Sequence, residues 1–196
     1  TVLPDDLPAG LRYEVLLLRA RANIELGLYP PASAQVREAR TLDPAASPAV
    51  VMQARIAIET GRPDEASTLA EQAATLNPSD PDAWMMRAAA ASVTGQATQA
   101  LAHYDRALAL AADNREALLG RSYVLIDLGR ASEAKASLAR FASSGPRDPR
   151  AAYLNAPKTD ALMGTTSPWN RGRLLVEGAA HSAACHTGRT LAGGLD

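Results

Sequence analysis

From Leu11 onward the apolar positions recur with the three-to-four spacing of a helix. Leu16, Arg19, Ala20 and Asn23 fall on one face, and Leu17, Arg21 and Ile24 on the face beside it. Gly27 predicts the end of this helix, because glycine accepts the left-handed turn after a last helical residue. Pro30 and Pro31 suit the first turn of a second helix, where a missing N–H costs little. That helix runs through Ala32, Val36 and Ala39 to about Leu42, and Asp43-Pro44 stops it. The same reading predicts helices near 47–60, 63–76, 81–94, 97–110, 115–128 and 131–143, joined by short polar connections. Residues 1–12, with Pro4, Pro8 and Gly10, read as a lead-in.

The pattern repeats with a fixed period. Gly27, Gly61, Gly95 and Gly129 stand 34 residues apart, and five residues after each comes Ala32, Ala66, Ala100 or Ala134. Seven residues before each glycine lies Ala20, Ala54, Ala88 or Ser122; twelve after lie Ala39, Ala73, Ala107 and the large exception Phe141. Pro44, Pro78, Ala112 and Pro146 form a fifth column. Columns kept in one phase over four copies define a tandem repeat, and the period decides the architecture. Small residues at the crossing let two antiparallel helices approach closely, so a large side chain at Ala66 or Ala100 should overpack it.

These residues resemble the tetratricopeptide repeat, a helix–turn–helix unit of 34 residues. In the third copy Trp84, Ala88, Gly95, Ala100, Tyr104 and Ala107 match the signature columns; in the second, Ala54, Gly61, Ala66, Ala73 and Pro78 do so. Leu16, Val50 and Leu118 stand in place of Trp84 in the other copies, and Arg19, Gln53, Arg87 and Arg121 replace the signature leucine. The resemblance covers about residues 13–148, as repeats 13–46, 47–80, 81–114 and 115–148. It implies an all-α fold, an α-solenoid wound as a right-handed superhelix of four antiparallel helix-turn-helix repeats, with the first helices lining its concave side.

Carried over column by column, the resemblance assigns Leu17, Val51, Met85 and Leu119 to the groove, beside Arg21, Arg55, Ala89 and Tyr123. Next come Ile24, Ile58, Ser92 and Ile126, with Glu25, Glu59, Val93 and Asp127 at the edge. The expected surface is an apolar stripe with two arginines at one end and a tyrosine at the other. It suits an extended or helical segment of a protein partner. Packing against the next repeat is the competing role for Leu17 or Ile58. Arg21 and Arg55 repel each other unless acids answer them, and Glu25 and Glu59, one turn onward, can do so as i,i+4 pairs. Family members that grip a partner's C-terminal carboxylate use lysine and asparagine in these columns, and that pattern is absent.

Composition removes other classes. A formal charge of -1 gives no electrostatic case for nucleic acid or an anionic membrane. Aromatics at 4% speak against a sandwich or barrel packed with large side chains. No apolar run reaches 18 residues, so no membrane span is expected. Residues 1–150 show no catalytic constellation and no metal ligand set, and their only histidine, His103, is expected on the surface. The expected role is a non-enzymatic scaffold without a cofactor.

The tail departs from the repeat. Pro149, Ala152, Asn155 and Ala156 begin a fifth copy (149–156), but Pro157 falls where its helix should continue, and Met163 stands where a fifth glycine is due. An uncapped fourth repeat offers a route to self-association. Residues 157–196 contain a segment, about 168–190, that resembles the haem-attachment region of c-type cytochromes. Cys185 and His186 match Cys-x-x-Cys-His, but Ser182 stands where the first cysteine belongs, and a serine forms no thioether. No methionine follows His186 to serve as a second axial ligand. A haem-linked electron carrier docked through the repeats is the alternative function. Arginine-over-lysine usage fits a high-GC bacterium, and the cytochrome-like segment leans the location toward the periplasm, with the cytoplasm as alternative.

Overall fold

The computed structural model describes residues 7–144. Among the described residues there are eight α-helices and no strand: α1 (Ala9–Glu25), α2 (Tyr29–Leu42), α3 (Ser47–Glu59), α4 (Pro63–Leu76), α5 (Pro81–Val93), α6 (Ala97–Leu110), α7 (Arg115–Asp127) and α8 (Ala131–Ser143). The helices fall where the apolar periodicity places them. One adjustment is needed at the start, where Ala9, Gly10, Leu11 and Arg12 already belong to α1 rather than to the lead-in. The aborted fifth repeat and the cytochrome-like segment, with Cys185 and His186, lie outside the described residues.

The repeating glycine closes each first helix. Gly61 sits at φ +74°, and its three counterparts have the same left-handed backbone. The Arg62 N–H reaches back to the Ala57 carbonyl at 2.8 Å, and the Gly61 N–H to the Ile58 carbonyl at 3.1 Å. This pair of bonds satisfies two of the carbonyls a helix end leaves open. Arg62 is also the residue that opens α4, so one position ends a helix and starts the next.

Each helix packs against its neighbours in sequence, and first helices also touch the next first helix: α1 with α3, α3 with α5, α5 with α7. Contacts confined to near neighbours define a solenoid. The alanine columns lie at the crossings, with Ala20, Ala54, Ala88, Ala32, Ala66 and Ala100 all fully buried. Ser122 replaces an alanine without leaving a polar orphan, because its hydroxyl donates to the Leu118 carbonyl at 2.7 Å. Phe141 fills the end of the fourth repeat with Leu118, Leu119 and Leu138.

Polar bonds tie the repeats along one edge. Ser47 donates to Asp80 at 2.7 Å, Asp80 accepts the Asp82 N–H as the cap of α5, and Asn114 donates to Asp82 at 3.3 Å while capping α7 through the Ala117 N–H. The arginines in the signature-leucine column work similarly. Arg121 donates to Asp105 at 2.7 Å and to Ser137 at 2.6 Å, and Gln53 accepts from Arg40 of the preceding helix.

Candidate functional site

The first helices and the α6–α7 turn enclose a cleft of about 510 Å³. Its apolar lining comes from Ile24 on α1, Val51 and Met52 on α3, and Met85 and Met86 on α5. Arg21 and Arg55 stand on the α1 and α3 side. Asp82, Asp113, Asn114, Arg115 and Glu116 close the other side, from the start of α5, the turn and the start of α7. Helical spacing explains the grouping: Asp82, Met85 and Met86 share one face of α5, and Arg21 and Ile24 share one face of α1.

The charges differ in their commitments. Arg55 is held by Glu25 of the preceding repeat at 2.8 Å. The expected pairing of Arg21 with Glu25, one turn onward, is therefore corrected. The shift between repeats brings α1 Glu25 beside α3 Arg55, and Arg21 has no ion pair among the described residues. Glu116 likewise has none. Partial desolvation in the cleft, then the carboxylates of Asp80 and Glu116, raise the Asp82 carboxyl above its ordinary value, while the Asn114 amide and Arg21 act against that rise. Arg115 is drawn toward the end of the array, where its guanidinium lies 4.1 Å from the Phe141 ring centre and donates to the Phe141 carbonyl.

Among the residues assigned to the groove by sequence, the structure brings Arg21, Ile24, Val51, Arg55 and Met85 together in the cleft. Leu17, Ile58 and Leu119 are buried in the core clusters and do not line it. Tyr123 and Ile126 are half-buried against the core farther along α7. Met52 and Met86 come from the adjoining column, and the acidic side comes from residues at helix starts. Asp82 and Glu116, one repeat apart, carry the only sequence signal for it.

His103 is not a surface residue, as expected from sequence, but half-buried. Its ring centre lies 5.7 Å from that of Trp84, and burial, then the charge of Arg87, lower its pKa. The Arg87 and Arg106 guanidiniums lie 5.2 and 5.8 Å from the same indole. Among the described residues no cluster of three His, Cys, Asp or Glu side chains is placed to hold a metal ion, and no helix is long and apolar enough to cross a membrane.

Comparison with known proteins adds family and fold. Two models of the tetratricopeptide repeat match residues 51–115 and 94–156, together more than half of the chain. A thermophilic TPR protein of Thermus thermophilus is 22% identical, with a TM-score of 0.65 over 72% of this chain and 80% of its own. YrrB, described as a TPR protein with an unusual peptide-binding site, is 22% identical, with a TM-score of 0.52 over 71% of this chain and 70% of its own. The second TPR domain of human RPAP3, solved in complex with the HSP70 peptide SGPTIEEVD, is 20% identical, with a TM-score of 0.51 over 60% of this chain and 98% of its own. No curated protein matches the sequence significantly.

Proposed function

The chain belongs to the tetratricopeptide repeat family, and we propose that it is a non-enzymatic interaction scaffold whose cleft holds an extended or helical segment of a partner protein. One observation carries this reading: five apolar side chains from three successive first helices converge on one cleft whose walls carry uncommitted charge of both signs. A partner's apolar side chains gain by covering Val51 and Met52, the half-buried part of the lining, with Ile24, Met85 and Met86 already buried beneath them. Arg21 on one side and Glu116 on the other then favour a segment with complementary charges and fix its direction. That YrrB has a peptide-binding site and the RPAP3 domain a bound peptide supports the class of ligand, not its sequence.

The test is selection of a random peptide library on the full chain, followed by affinity measurement on the double charge reversal Arg21→Glu/Glu116→Lys. Both side chains are exposed, so the variant should keep wild-type helicity. Affinity should fall about tenfold or more, the equivalent of roughly 1.4 kcal/mol. Unchanged affinity in the folded variant would place binding elsewhere. The same reading gives the chain no cofactor, since Ser182 removes one of the two thioether links. The purified chain should then be colourless and of unmodified mass. A haem absorbance band would restore the redox alternative.

A further inference from the structure

Every first helix after α1 has one face covered by the second helix before it: α2 lies on α3, α4 on α5 and α6 on α7. The covered columns are Ala49, Met52 and Ile56 on α3, then Ala83, Met86 and Ala90 on α5, then Ala117, Gly120 and Val124 on α7. Of these nine all but Met52 are buried. The same columns on α1 are Val15, Leu18 and Ala22, and among the described residues no helix precedes them. Leu18 is 66% exposed, and Leu11 and Leu26 extend the same stripe at 51% and 71% exposure. An apolar face of this kind marks an interaction surface.

The geometry points to a second copy of this chain as the occupant, with α1 packed antiparallel on the partner's α1 about a two-fold axis at Leu18. The stripe is nearly symmetric about that residue: Leu11 stands seven positions before it and Leu26 eight after, Val15 three before and Ala22 four after. An antiparallel pair therefore sets Leu18 beside Leu18 and, to within one residue of register, Val15 beside Ala22 and Leu11 beside Leu26. Such self-complementarity is what a two-fold interface requires, and it closes after two chains. Charge agrees with the arrangement. Glu14 and Arg21 flank one side of the stripe, are exposed and have no ion pair among the described residues. In the antiparallel pair Glu14 of one copy lies across from Arg21 of the other, so the symmetry supplies this contact twice and draws Arg21, uncommitted in the single chain, away from the cleft. The interface is continuous with one already present in the fold, since it uses the columns that α2, α4 and α6 cover elsewhere.

Sedimentation equilibrium of the full chain over a wide concentration range tests this. The mass should rise with concentration from the 20.5 kDa chain to twice that value and stop there. Leu18→Glu, on an exposed side chain, should leave the circular dichroism unchanged and hold the protein at the single-chain mass. Glu14→Arg should weaken the dimer about two- to thirtyfold, the range of two exposed ion pairs, and Glu14→Arg/Arg21→Glu should restore it. Any of three results overturns the proposal: a single-chain mass at every concentration, a mass that climbs past two chains, or a Leu18→Glu variant that still dimerises.

Discussion

Two boundaries between repeats use the same columns in opposite ways. Where α4 meets α5, the columns hold Ala70 and Met86, a small residue on the second helix and a large one on the first. Where α6 meets α7, they hold Tyr104 and Gly120. A Cβ added to Gly120 would lie 2.3 Å from the Tyr104 hydroxyl oxygen, so the ring occupies the space a side chain there would need. Both solutions fill the same gap. The period fixes which positions meet, and neighbouring helices then divide the volume between them. Tyr104 is fully desolvated as a result, which pushes its hydroxyl pKa up.

The exchange of volume can be broken or transplanted. Tyr104→Ala should cost about 3–5 kcal/mol, as expected for emptying a buried aromatic site. Gly120→Met should cost about 3 kcal/mol through overpacking against the ring. The double variant recreates the Ala–Met arrangement of the α4–α5 boundary and should recover most of both losses in urea denaturation. Losses that simply add would show that the two boundaries are not equivalent.

The crossing within each repeat makes a smaller contrast. Ala66 and Ala100 are both fully buried in the same column. Ala66→Leu and Ala100→Leu should each lose about 1–3 kcal/mol, and by similar amounts. A large difference between them would mean that the repeats do not share one crossing. Gly61→Ala separates backbone from contact effects. A Cβ there meets nothing within 4 Å, so its expected cost of about 1–2 kcal/mol comes from the positive φ alone.

The smallest effect concerns the edge of the cleft. Asp82 has a raised carboxyl pKa, so the folded chain holds that proton more tightly than the unfolded chain. Its contribution to stability is therefore greatest at low pH and is lost as pH rises from the unfolded value through the folded one. Asp82→Asn should raise the melting temperature slightly at pH 7 and make no gain near pH 3. A gain of equal size at both pH values would contradict the sign.

The helices and their order were legible because glycine, alanine and proline recur in phase and each has a local physical cause. The cleft was legible in part. Arg21, Ile24, Val51, Arg55 and Met85 follow from column position, since a column identifies a helix face. It does not say which part of that face opens on the cleft: Leu17, Ile58 and Leu119 are buried away from it, while Ile24 and Met85, as deeply buried, line it. Nor does it show contacts between repeats: Arg55 finds Glu25 across a boundary, which spacing along a single helix cannot reveal. The acidic side depends on how the turn Ala111–Asn114 sets α7 beside α5. That is a tertiary result. Gly120 reads in sequence as a weak point in a helix, and only the ring of Tyr104 gives it a purpose.

The methionines supply the most direct test of binding in the cleft. Of the four in the chain, Met52, Met85 and Met86 line the cleft and Met163 lies outside the described residues. With labelled methionine methyl groups, addition of a selected peptide should shift the resonances of Met52, Met85 and Met86. Binding of that peptide with all three cleft methyls unmoved would contradict the account.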